Sequence, residues 1–218
     1  MNRQGLLIRI SLYLVLYFGL SYYAGDLGRK LLYPVRLLVT FLHEFGHGLM
    51  AILTGGQVDS IQINADGSGW TRTINGNRAL ILLGGYLGSA LFGNLIFYVG
   101  ARLRYLVRPG LFLLAGIMLF TGIYWFNSIF TSLVLLLFAA GMIFIATKTA
   151  YGREFLMFIG LISILFIIQD FNVGPRSDLE AYAQEMIFLP VVAWKYIWLL
   201  IVVLLFLFNI RLLYRNSN

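Results

Sequence analysis

The chain reads as an all-α polytopic membrane protein of about six to seven transmembrane helices, with a short β-hairpin after the second. Three observations predict this. Hydrophobic residues fill 60% of the 218 positions and charged residues only 11%, whereas about a quarter of an ordinary soluble domain is charged. The apolar residues fall into successive runs near the roughly 20 residues that a helix needs to cross a bilayer. One stretch, 57–74, breaks the pattern: it is polar and β-prone, with Asp66-Gly67 as a turn between two short extended runs. The spans leave no room for a soluble domain of ordinary size, about 50 residues or more, so 1–218 is read as one membrane-embedded domain.

Residues 5–25 form the first run, led by Arg3 and Arg9. The bulky Tyr22-Tyr23 before Ala24-Gly25 favours a retained span over a cleaved signal peptide. The second run, about 31–54, carries His43-Glu44-Phe45-Gly46-His47 near its middle and closes on Gly55-Gly56, a helix C-cap. After the hairpin, the third run (79–101) is rich in small residues. Gly84 with Gly88, and Ser89 with Gly93, repeat the spacing that lets helix backbones approach closely in lipid, and the stripe is expected to pack on the motif helix. Asn94 on the same run can hydrogen-bond within the bundle. Two shorter runs (110–126 and 129–147) meet at a tight turn, Phe126-Asn127-Ser128. A sixth covers 154–171. A polar segment then leads to a partly amphipathic helix, Asp178 to Leu189, and Pro190 precedes a last span, 191–210.

With seven spans, Arg29, Lys30, Arg36, Arg102, Arg104, Arg108, Lys148, Arg153, Arg211 and Arg215 fall on one side of the bilayer. Arg3, Arg9, Arg72, Arg78 and Arg176 fall on the other. The richer side is expected to be cytoplasmic, in an integral, multi-pass protein of the cell membrane. The formal charge of +7 thus sits in clusters at span ends. No basic stripe interleaved with aromatics extends along the chain, so nucleic acid is not expected as a partner; the lipid bilayer is.

The chemistry concentrates in the second run. His43 and His47 are the only histidines; four apart on a helix, they share a face and can offer two imidazole nitrogens to one metal ion. Glu44 stands beside them as a base for a metal-activated water. Burying that carboxylate in a span costs at least about 2.5–3.5 kcal/mol unless it is paired, so it needs a partner. With no cysteine in the chain, a third ligand must be a carboxylate. Asp26 and Glu154 fall on the wrong side, and Asp59 and Asp66 sit in a hairpin suited to solvent. Asp178 and Asp170 remain. Asp178 is preferred and Asp170 is the alternative. Ser177-Asp178-Leu179-Glu180 also reads as a capping box with Ser177 as N-cap, which would aim Asp178 from a rigid first turn.

On these residues the chain resembles the site-2-protease class of intramembrane zinc metallopeptidases, the M50 family, and its compact M50B-like branch in particular. The matching segments are His43-Glu44-Phe45-Gly46-His47-Gly48, the hairpin with Asp66-Gly67-Ser68-Gly69, Gly84-Gly85-Tyr86-Leu87-Gly88 with Asn94, and Ser177-Asp178. The resemblance implies zinc held by His43, His47 and a C-terminal aspartate, with Glu44 as catalytic base. Gly84, Gly85, Gly88 and Asn94 would support the site. It also implies an endopeptidase whose partner is a membrane protein substrate, held as an added strand on the hairpin. The family writes its aspartate as Asn-x-x-Pro followed by Asp-Gly. Here Asn172-x-x-Pro175 is present, Asp178 comes early and Leu179 replaces the glycine. The competing reading is a catalytically silent, metal-binding membrane scaffold or partner-binding protein.

Overall fold

A computed structural model describes residues 3–169, the side chain of Gln169 excepted, and 177–215. Eight helices and one hairpin follow in the order α1 (Arg3–Phe18), α2 (Gly25–Leu53), β1 (Gln57–Ile63), β2 (Gly69–Ile74), α3 (Arg78–Arg102), α4 (Val107–Tyr124), α5 (Ile129–Lys148), α6 (Gly152–Gln169), α7 (Asp178–Met186) and α8 (Val191–Arg215). A wide π-helical turn, Gly19–Tyr23, prolongs α1. Among the described residues five helices are long and apolar enough to cross a membrane: α1 with its π turn, α3, α4 with its short 3-10 lead-in, α5 and α8. Their outer faces carry large exposed side chains such as Leu113, Ile123, Leu137, Phe144 and Phe208, which only lipid can cover. The protein is an integral, multi-pass membrane protein.

Helix ends follow the local chemistry of the sequence. The α2 C-terminus closes on Gly55 at φ +83°; the amide of Gly56 donates to the Ala51 carbonyl (2.8 Å) and that of Gly55 to Ile52 (3.1 Å), a Schellman closure. Asn77 caps α3 and Ser128 caps α5.

α3 is the central helix, and glycine sets how closely its neighbours come. At the α2 crossing, a Cβ on Gly84 would lie 2.5 Å from the Gly46 carbonyl oxygen, and one on Gly46 would strike the Gly84 carbonyl in turn. Gly93 belongs to a different contact. A Cβ there would lie 3.0 Å from the Gly160 carbonyl of α6, and one on Gly160 would meet the Phe97 amide nitrogen at 2.5 Å. The expectation that one stripe from Gly84 to Gly93 faces the motif helix is therefore corrected. Nine residues at about 100° each place Gly93 half a turn away from Gly84, so α3 carries two small-residue faces, one for α2 and one for α6. Asn94 anchors α8: the Asn209 side-chain amide donates to its backbone carbonyl (2.7 Å) and to its Oδ1 (3.0 Å).

The hairpin is antiparallel, pairing Ile61 with Thr71 and Ile63 with Gly69, with an irregularity between Val58 and Ser60. It does not project from the end of α2 but folds back along it. The positions Arg36, Thr40, Glu44 and Gly48, four apart and on one helical face, meet it in turn. A Cβ on Gly48 would touch Val58, Glu44 bonds Thr71, the Thr40 hydroxyl donates to the Gly67 carbonyl (2.8 Å), and a Cβ on Gly67 would meet Arg36. Beyond them, the Tyr33 hydroxyl reaches the Ala65 carbonyl (2.7 Å). Arg36, sorted from the sequence to the side opposite the hairpin, stands against its turn. The outer edge of β1 is sealed by the α4–α5 turn: the Ile61 amide donates to Trp125 (3.4 Å), and Thr131 exchanges two bonds with Ile63. No third strand pairs with β2 among the described residues.

Candidate metal centre

His43 and His47 both project from α2 toward α3, and the first turn of α7 brings Asp178 against them. One carboxylate oxygen, Asp178 Oδ2, lies 2.8 Å from His43 Nε2 and 3.1 Å from His47 Nε2, and the two ring nitrogens are 3.1 Å apart. Three elements hold this triangle. α7 is fixed by the Ser177 hydroxyl, which accepts the Glu180 amide, by fully buried Leu179, and by Tyr182, edge-on to Trp194 and Trp198 at 4.9 and 5.0 Å. His43 meets Tyr86 edge-on at 4.8 Å. The His47 ring is oriented by α3: its Nδ1–H donates to the Ile81 carbonyl (2.7 Å).

That last bond tests whether the residues fit a metal. A carbonyl can only accept, so His47 keeps its proton on Nδ1, and in the neutral ring the Nε2 lone pair points at the Asp178 carboxylate. Two electron-rich atoms at 3.1 Å are held together by a metal ion or by a second proton on the ring. Ligand atoms on a tetrahedral zinc at about 2.0–2.2 Å lie roughly 3.3–3.6 Å apart, so the triangle seen here would widen by a few tenths of an ångström to hold one. The donor set fits a divalent metal of the borderline kind.

Glu44 occupies the next position round the helix, about 100° from His43, and so faces the hairpin. It is 5% exposed. The Thr71 hydroxyl lies within hydrogen-bonding distance of both Glu44 Oε2 (2.8 Å) and the Glu44 backbone carbonyl (2.9 Å), and a Cβ on Gly69 would lie 2.8 Å from Glu44 Oε1. Thr71 is thus the partner that a buried carboxylate demands. Two cavities meet at His43 and Glu44. One, of about 170 Å³, runs toward Arg36, Thr40 and Phe166; the other, of about 680 Å³, follows Ser68 and then Gly69, Trp70, Thr71 and Thr73 of β2 and reaches Arg78, Ser177 and Asp178.

The structure brings together His43, Glu44, His47 and Asp178. Asp170, and with it Asn172 and Pro175, lies outside the described residues. Gly85 is closest of the supporting glycines: a Cβ would fall 2.5 Å from His47 Nε2 and 2.6 Å from His43 Nε2. Gly84 and Gly88 line the α2 crossing beside it, while Asn94 serves the α8 contact. Gly85→Ala is expected to displace both imidazoles and lower metal content to background while the helices stay folded; metal analysis beside thermal unfolding in detergent checks this. Sequence reasoning missed Thr71, Gly69, Tyr86 and the Ile81 carbonyl. Gly69, in the Asp66-Gly67-Ser68-Gly69 run, gave a signal that could have been followed.

A bundle of membrane-spanning helices enclosing a His/His/Asp cluster with an adjacent buried glutamate fits a membrane protein of metallopeptidase kind. A family model described as Peptidase M50B-like matches residues 10–209, and the chain belongs to that family. No curated protein and no solved structure matches it.

Proposed function

We propose that the protein is an intramembrane zinc endopeptidase that cleaves peptide bonds in or beside transmembrane segments of other membrane proteins. The observation that carries this reading is the convergence of the His43, His47 and Asp178 donor atoms within one cleft that Glu44 and the edge of β2 also line. Zinc held by these three residues would lower the pKa of a bound water to about 7 and polarise a peptide carbonyl. Everything else falls to the chain. Glu44 takes the proton of the attacking water and returns it to the leaving amine. Thr71 holds Glu44 Oε2, so one carboxylate oxygen is fixed while the other, Oε1, lies beside Gly69 of the cleft wall. A substrate helix is not cleavable while its carbonyls are engaged within it; pairing with the vacant edge of β2 would draw the segment out as a strand beside Glu44. The supporting role of Gly85 is to leave room for both imidazoles.

The test combines metal content with cleavage. Wild-type protein is expected to hold about one zinc per chain, and Asp178→Ala to lose it together with activity. If Asp178→Ala keeps full occupancy and Asp170→Ala empties the site, the third ligand is misassigned. New N-termini in the membrane proteome of cells making active protein, absent with Glu44→Gln, identify substrates. Full zinc occupancy with no such termini would instead establish the silent scaffold.

A further inference from the structure

We propose that a second site, a cavity at the far ends of α4, α5 and α6, binds the phosphate of an anionic phospholipid. The cavity measures about 460 Å³ and is lined by Arg104, Arg108 and Arg153 with no carboxylate on its wall. That volume falls in the roughly 300–1,000 Å³ range of small-ligand sites. Arg153 is anchored there: its Nε donates to the Gly100 carbonyl (2.9 Å) and one Nη to Ala101 (3.0 Å), at the C-terminus of α3. Among the described residues the side chains of Arg104 and Arg108 have no ion-pair or hydrogen-bond partner. The nearby acid, Glu154, is already committed, to Arg9 at 3.0 Å and to the Tyr13 hydroxyl at 2.5 Å. The Arg104 and Arg108 guanidinium groups therefore share with the anchored Arg153 one concavity that no carboxylate lines, and guanidinium matches phosphate in shape as well as charge.

The surroundings choose the source of the phosphate. Val107, Leu111 and Ile145 form the apolar part of the same wall, and the exposed faces of α4 and α5 begin within a turn of it at Phe112 and Phe144. Exposed Tyr105 and Tyr151 flank the cavity, as aromatic residues do at a headgroup level. Arg102 and Lys148 lie at the same end, the basic one. An inorganic phosphate would have no use for the apolar wall; a lipid uses both parts.

The experiment is native mass spectrometry of the full chain from mixed micelles containing phosphatidylglycerol or phosphatidylcholine. Wild type is expected to retain one phosphatidylglycerol in preference to phosphatidylcholine. Arg104→Gln/Arg108→Gln is expected to reduce retention about tenfold, the equivalent of roughly 1.4 kcal/mol. Arg211→Gln/Arg215→Gln, which removes the same charge elsewhere, is expected to leave it unchanged. Should the double variant fail to purify, exposed Arg108→Gln alone carries the test, with a smaller loss. Equal loss in both double variants, or equal retention of the two lipids, overturns the proposal. Displacement of the lipid by millimolar inorganic phosphate overturns the choice of a lipid ligand.

Discussion

Glu44→Gln is expected to lower cleavage by about 10²–10⁴, the usual contribution of a general base, or roughly 2.7–5.5 kcal/mol of transition-state stabilisation. The change keeps shape and hydrogen bonding. The amide oxygen of glutamine can accept the Thr71 hydroxyl as Oε2 does now (2.8 Å). His43, His47 and Asp178 are untouched, so zinc content should stay at the wild-type level. Because a neutral amide is easier to bury than a carboxylate, thermal stability in detergent should be equal or higher. The three readouts separate chemistry from structure. Cleavage at more than about a tenth of the wild-type rate would assign the proton transfer to another group.

Gly46→Ala is expected to be among the most destabilising single-methyl additions in the chain's helices. The added carbon meets the Gly84 carbonyl of α3, which is backbone and cannot rotate away. Relief requires α2 and α3 to separate along their whole crossing. Overpacking in a core commonly costs about 1–3 kcal/mol; a clash between two backbones should exceed that range and bring down the metal site as well. Gly116→Ala in α4 and Gly141→Ala in α5 are internal controls, since nothing lies within 4 Å of a Cβ at either. They should be neutral or gain up to about 1 kcal/mol from reduced backbone freedom. Thermal unfolding of all three variants checks the contrast, and equal stability among them would mean that the α2–α3 crossing is looser than described.

Much of this was legible because it is local. The hairpin bounds, the Gly55 closure of α2 and the Ser177 cap of α7 each depend on a few neighbouring residues. The His43–His47 pair is local too, being one helical turn. What the sequence did not reveal depends on register between distant segments. Thr71 reaches Glu44 only because β2 pairs with β1 in one register and the hairpin lies back along α2. The Ile81 carbonyl that orients His47 is a backbone atom, with no identity to read. The two faces of α3 could have been separated by counting turns, but the small residues look like one stripe along the chain. Arg36 was placed by the rule that charges end spans, whereas it stands against the glycine of a folded-back turn.

The sealing of β1 by the α4–α5 turn leaves β2 as the open side of the sheet, and the contacts of the hairpin run from Gly48 back to Tyr33. Fifteen residues of helix are about 22 Å, most of the thickness of a bilayer's hydrocarbon core. Unpaired peptide groups in hydrocarbon cost several kcal/mol each. An open strand edge at that depth is therefore tolerable only if it is wet, and the cleft must carry a thread of water into the membrane whether or not a peptide is bound. Hydrolysis consumes one water per bond. Under the proposed function, the same vacancy that would receive a substrate strand would also keep the other reactant in supply, and each arriving strand would displace part of it.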